Sequence, residues 1–146
     1  MTETTSTLAI PVAAADVWDA LADFGEIVRW APNVDHSCLL SAQTSGVGTV
    51  RRIQAGRRTL VERVVEWRPG ERLGYDIEGL PVVRSLRSTW HLDERGARTV
   101  VSLTTAVDAG SGPPQKLAAK ALSRQLSKVS NQMLGGLDEH LRKAAL

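Results

Sequence analysis

Hydrophobic positions along this chain follow two periods, and the change from one to the other marks out the elements. Between residues 5 and 12, Leu8, Ile10 and Val12 fall on one side with Ser6 and Ala9 between or opposite, which predicts a half-buried first strand closing near Pro11. From Ala14 to Phe24 the spacing becomes three and four: Val17, Trp18, Leu21 and Phe24 predict a helix. Asp16 and Asp19 sit near its start, where negative charge suits the helix dipole. A second short helix is predicted over Ile27 to Trp30, stopping before Pro32 because the residue ahead of a proline is pushed out of the α region.

The middle of the chain is cut at short intervals by turn-forming stretches: SGVG at 45, AGR at 55, RPGE at 68, EGLP at 78 and ERGA at 94. Such punctuation predicts consecutive antiparallel strands joined by hairpins. No long crossover helix intervenes, which disfavours a parallel sheet. After Val107, DAGSGPP ends the alternation and places Pro113 and Pro114 where a helix accepts proline, in its first turn. From Gln115 to Ala144, Leu117, Ala121, Leu122, Leu126, Val129, Met133, Leu137 and Leu141 draw an apolar stripe at helical spacing. A helix of about thirty residues is roughly 45 Å long. It needs a long partner surface, and the strands offer one.

Alternation also sorts side chains onto faces, and polar residues among apolar ones are the informative cases. The expected inward sets are Val34, His36, Cys38, Leu40; then Val47, Thr49, Arg51, Ile53, Ala55; then Leu60, Glu62, Val64, Glu66. In this third run the opposite face, Val61, Arg63, Val65, Trp67, is about as apolar, so its register stays open. The later strands give Leu73, Tyr75, Ile77; Leu86, Ser88, Trp90, Leu92; and Thr99, Val101, Leu103, Thr105, Val107. One sheet face would thus be apolar yet hold His36, Arg51, Glu62, Tyr75 and Ser88. Buried isolated charges are expensive, so Arg51 and Glu62 should pair with each other or meet water. A structural ion pair and a partly wet pocket both satisfy that condition.

Composition narrows the classes. A chain of 146 residues is the size of one domain, spanning 1–146, with enough length for a sizeable core. Eighteen Lys and Arg against 16 Asp and Glu leave a net charge of +2, and the arginines are spread along the strands, a pattern that argues against nucleic acid as partner. Cys38 is the single cysteine, which excludes an internal disulfide and fits a reducing compartment. The opening MTETTSTLAI lacks the basic start and apolar run of a signal peptide, and no stretch reaches the roughly 18 apolar residues of a membrane span. A cytoplasmic protein without membrane insertion is expected. His36, His91 and His140 show no metal-ligand spacing, and no nucleophile motif, phosphate loop or cofactor signature is present, so neither metal nor cofactor is expected.

The segment DVWDALADFGEIVRWAP, followed by GVGTVRR, VERVVEWRPGERLGY and GLPV, resembles the START-like superfamily, also called the SRPBCC group, whose polyketide cyclase/dehydrase and lipid-transport branches share this order of elements. The resemblance runs from about Leu8 to Arg142. It implies an α+β helix-grip fold: a curved seven-stranded antiparallel sheet wrapped around the long C-terminal helix, two short helices between strands 1 and 2, and an apolar cavity between sheet and helix. Trp18 would then anchor the short helices, and Leu80, Val82 and Val83 would cover the cavity mouth. Arg51 and Glu62 match positions where the hormone-receptor branch carries an interior basic and acidic residue, and His36 falls where that branch has a lysine facing the ligand.

The function expected on this basis is binding or transport of a small hydrophobic molecule, a lipid, isoprenoid or polyketide. Residues expected at the ligand are Trp30, His36, Arg51, Ile53, Glu62, Tyr75, Ile77, Leu80, Ser88, Trp90, Val129 and Met133. The alternative is a cyclase or dehydratase using the same cavity, with His36 or Glu62 moving a proton. On either reading Glu62→Gln should weaken binding or turnover while altering stability only modestly. A homodimer or a protein partner docking on the sheet edge or the GLPV loop is compatible with the sequence but singled out by nothing in it.

Overall fold

The computed structural model describes residues 2–81 and 83–145. Its elements run β1 (Thr2–Ile10), α1 (Ala14–Ala22), a 3₁₀ helix (Phe24–Arg29), β2 (His36–Leu39), β3 (Val50–Ala55), β4 (Arg58–Arg68), β5 (Arg72–Glu78), β6 (Ser85–Arg95), β7 (Arg98–Asp108) and α2 (Pro113–Ala144). The seven strands form one antiparallel sheet in the order β1-β7-β6-β5-β4-β3-β2. Hairpins account for every neighbour except β1, which crosses to pair with β7 from Thr2↔Val107 to Ile10↔Thr99. This is the expected α+β helix-grip architecture, with the two short helices between β1 and β2.

The open register of the third run has a physical cause. β4 carries an irregularity against β5 between Val64 and Glu66, and an extra residue in one strand flips the side chains beyond it to the other face. Glu62 and Val64 are therefore buried before the irregularity, and Trp67 packs on the core after it. That flip gives α1 its seat: Val17, Trp18 and Leu21 are buried, and Trp18 meets Trp67 edge to face at 5.2 Å.

On β2 the expected face is reversed. Ser37 and Leu39 point inward, while His36, Cys38 and Leu40 are exposed. The neighbouring 3₁₀ helix decides this. Ser37 Oγ donates to the Gly25 carbonyl at 2.7 Å and accepts from Val28 N–H at 3.3 Å, satisfying backbone groups that a short helix leaves open. Leu39 packs so tightly on Gly25 that a Cβ there would lie 2.7 Å from Leu39 Cγ.

Helix α2 packs against β1 and β7. In its second half Met133, Leu134, Leu137 and Leu141 are buried, and full burial of a leucine contributes about 1.5–3 kcal/mol. The helix approaches closely because residue 136 is glycine: a Cβ there would collide with the Trp30 carbonyl oxygen. The first half is different. Leu117 is 71% exposed and Ala121 is exposed, Ala119 and Ser123 take the buried positions, and Leu122, Leu126 and Val129 are only half-buried. Here the apolar stripe stands away from the sheet, and the core divides. A large cluster fills the α1 end, and a smaller one of Leu86, Val107 and Ala119 lies under the start of α2.

Candidate functional site

Between the two clusters lies a cavity of about 690 Å³. Leu60 and Val129 come to it from the edge of the large cluster, and Leu80, Leu122 and Leu126 from the edge of the small one. Ala55, Asn33 and Gln125 complete the wall, and Arg57 and Arg58 of the β3–β4 hairpin reach its rim. Gly79, with φ +118°, turns the chain at the end of β5 so tightly that a Cβ would meet the Thr59 carbonyl at 2.5 Å. Only glycine adopts that backbone at little cost, and the turn sets Leu80 against β4. Asp35 Oδ2 accepts from Gly56 N–H at 2.8 Å and holds the hairpin on the opposite side. Asn33 Oδ1 is buried with no donor in reach among the described residues.

Beneath the cavity the interior is filled by a connected set of aromatic and charged side chains. Trp30 meets Trp90 edge to face at 5.6 Å, Trp90 Nε1 donates to Tyr75 Oη at 3.1 Å, and Tyr75 meets Phe24 at 5.6 Å. The Arg51 guanidinium lies over Phe24 at 3.7 Å and over Tyr75 at 4.8 Å, the geometry of a cation on a ring face. Its Nε donates to Glu62 Oε1 at 2.7 Å, its Nη2 lies 2.6 Å from the same oxygen, and its Nη1 donates to the Phe24 carbonyl at 3.0 Å. Arg51 and Glu62 are 2% and 4% exposed, so their attraction acts with little screening. Burial pushes the Tyr75 phenol up to about 12; the Glu62 charge adds to this and Arg51 opposes it.

The residues expected at the ligand therefore divide. Leu80 and Val129 line the cavity. Ile77 is half-buried where the two clusters meet. Trp30, Ile53, Tyr75, Trp90 and Met133 are packed in the large cluster. Arg51 and Glu62 are bonded to each other within it. Ser88 shares a hydrogen bond with Thr105 at 3.2 Å. His36 is exposed on the outer side of β2, a correction to its expected inward place, with the cause given above. Val82 lies outside the described residues.

Asn33 and Gln125 lie in a turn and on a helix flank, where strand alternation carries no signal, and Arg57 and Arg58, in the β3–β4 turn and at the first position of β4, read from the sequence only as a solvated sheet face. Leu60, Leu122 and Leu126 were legible as apolar positions, but not as walls of a space. A groove of about 530 Å³ along the last turns of α2 is lined by Asp138, Glu139, Arg142 and Lys143, which pair at 2.8 and 2.9 Å along the helix and leave little for a ligand. No group of metal-ligating side chains occurs among the described residues, and no helix there is long and apolar enough to cross a membrane.

Comparison with solved structures places this arrangement among known folds. A protein from Thermus thermophilus superposes with a TM-score of 0.80 at 20% identity, covering 99% of this chain and 100% of its own. The Zhui aromatase/cyclase of a Streptomyces species gives a TM-score of 0.83 at 18% identity over 99% of this chain and 96% of its own. A Thermobifida fusca protein solved by NMR gives 0.81 at 27% identity over 98% of this chain and 95% of its own. No protein of curated function matches at the level of sequence. Residues 1–142 match the family described as polyketide cyclase/dehydrase and lipid transport, which takes in the sheet, both short helices and nearly all of α2. That match over nearly the whole length shows that this chain belongs to the polyketide cyclase/dehydrase and lipid transport family.

Proposed function

We propose that this protein binds a small, mostly apolar molecule in the cavity between the sheet and the first half of α2. One observation carries the reading: the core is split in two, and the space between the halves is walled by Leu60, Leu80, Leu122, Leu126 and Val129. Leaving that much apolar surface unburied forgoes stability, which a ligand would restore. A volume of about 690 Å³ is in the range of sites that hold small organic ligands, and a few polar groups among apolar walls is their usual composition. Asn33 Oδ1, buried and without a donor, would accept a hydrogen bond from a hydroxyl or amide on the ligand.

Two features favour binding over turnover. The groups considered for proton transfer, His36 and Glu62, are respectively exposed on the outer side of β2 and bonded to Arg51. The polar residues that do line the cavity, Asn33, Gln125, Arg57 and Arg58, are amides and guanidiniums, side chains suited to hold a ligand's polar end by hydrogen bonds.

Titration with the uncharged dye Nile red tests the reading. One-to-one binding with a blue shift is expected, weakened at least about tenfold by Leu126→Glu, because an unpaired carboxylate in an apolar wall repels an apolar guest. Binding that Leu126→Glu leaves unchanged, in a protein with an intact circular dichroism spectrum, would overturn it.

A further inference from the structure

The first half of α2 carries a feature that neither the cavity nor the core explains. Lys116, Lys120, Arg124 and Lys128 recur every four residues, and all four are exposed. No acidic residue occurs from Ala109 to Gly136. Among the described residues none of the four takes part in an ion pair, whereas the second half of the same helix pairs Arg142 with Asp138 and Lys143 with Glu139. At about 1.5 Å per residue the four cations span roughly 18 Å of one helix flank. Leu117, 71% exposed, sits within this arc.

This strip works against the helix that bears it. Like charges four residues apart repel, and cations in the first turns oppose the helix dipole, whose open N–H groups already make that end positive. The first turn of α2 contains no acidic residue to offset this. With a net charge of only +2 for the whole chain, the strip is a local concentration and does not reflect a generally basic protein.

We propose that this flank of α2 docks on an anionic lipid surface. Charge complementarity selects an anionic partner, and the form of the strip selects lipid over an acidic protein. Protein interfaces are anchored by aromatic side chains and arginines seated in pockets. The strip is three lysines and one arginine on a convex helix, α2 contains no aromatic residue, and the single large apolar group offered is a protruding leucine. Basic side chains ranged around an exposed leucine suit a headgroup layer, where the charges stay hydrated and the leucine enters the acyl boundary. The opposite flank of the same turns supplies Leu122, Leu126 and Val129 to the cavity, so a docked molecule holds that cavity about one helix diameter from the lipid.

Co-sedimentation of the full chain with vesicles tests this without reference to any cavity ligand. Vesicles of equal phosphatidylglycerol and phosphatidylcholine should bind at 50 mM salt and release the protein as salt rises, whereas pure phosphatidylcholine should not bind; about 50 mM is low enough to leave surface charges weakly screened. Each basic residue near an anionic surface contributes about fivefold, so K120Q/K128Q should bind roughly 25-fold more weakly. Leu117→Ser should weaken vesicle binding by about threefold or more while leaving binding to soluble polyglutamate unchanged. All three positions are exposed, so the variants should keep the wild-type circular dichroism spectrum. Equal binding to both vesicle types, or no effect of K120Q/K128Q, would overturn the proposal. Polyglutamate binding as tight as vesicle binding, with Leu117→Ser silent in both, would overturn it in favour of an acidic protein partner.

Discussion

Replacing Glu62 by Gln removes the charge that compensates Arg51 while leaving an acceptor of nearly the same shape. Arg51 and Glu62 are 2% and 4% exposed, so Arg51 cannot turn to water without opening the packing of Phe24 and Tyr75 around it. Breaking a buried pair by removing one partner costs about 3–5 kcal/mol. The Phe24 carbonyl and the two ring faces persist, and glutamine keeps one hydrogen bond, which puts the expected loss at the lower end, about 3 kcal/mol. For a chain of this size that lowers Tm by roughly 10 °C. The double variant Arg51→Met/Glu62→Leu removes both charges at similar volume and should lie within about 1 kcal/mol of wild type, or above it. Urea denaturation followed by tryptophan fluorescence is the suitable assay, because urea is uncharged and leaves the exposed ion pairs of the chain at constant ionic strength through the titration. A single variant within about 0.5 kcal/mol of wild type, or a double variant as unstable as the single, would refute the claim that this pair is desolvated. The sequence alone led to the opposite weighting, a ligand effect with little change in stability, because it could not show that the two charges satisfy each other.

Two further outcomes follow from single residues. Tyr75 is the chain's one tyrosine, so tyrosinate absorbance reads it alone, and its midpoint should lie near 12 instead of the usual 10. Since the folded state holds this proton more tightly than the unfolded chain, the contribution is intact below pH 10 and is lost between about 10 and 12, up to about 3 kcal/mol; Tyr75→Phe should abolish that part of the alkaline loss. Adjacent glycines in α2 should respond oppositely. Gly135→Ala, with open space around the new Cβ, should stabilise by about 0.5–1 kcal/mol in thermal or urea melts. Gly136→Ala should destabilise despite the same gain in helix propensity, because its Cβ would collide with the Trp30 carbonyl oxygen; equal effects at the two sites would show that α2 does not approach Trp30 so closely.

What the sequence determined by itself is whatever depends on local periodicity. The alternation of Leu86, Ser88, Trp90 and Leu92, and of Thr99 to Val107, needs only the two-residue repeat of a strand, and these side chains are buried as expected. The change to helical spacing after Val107, with prolines at the start, fixed α2 in the same way. Tertiary structure decided the rest. His36 turned outward because Ser37 had backbone groups of the 3₁₀ helix to satisfy, a contact between segments that alternation within β2 cannot encode. The irregularity at Val65 let one strand present Glu62 inward on one side and Trp67 on the other, which made both registers look equally good along the sequence. The cavity itself is a distance, set by where α2 leaves the sheet. Leu122, Leu126 and Val129 have the same apolar character as Leu137 and Leu141, and only the separation between helix and sheet makes the first three a wall and the last two a core.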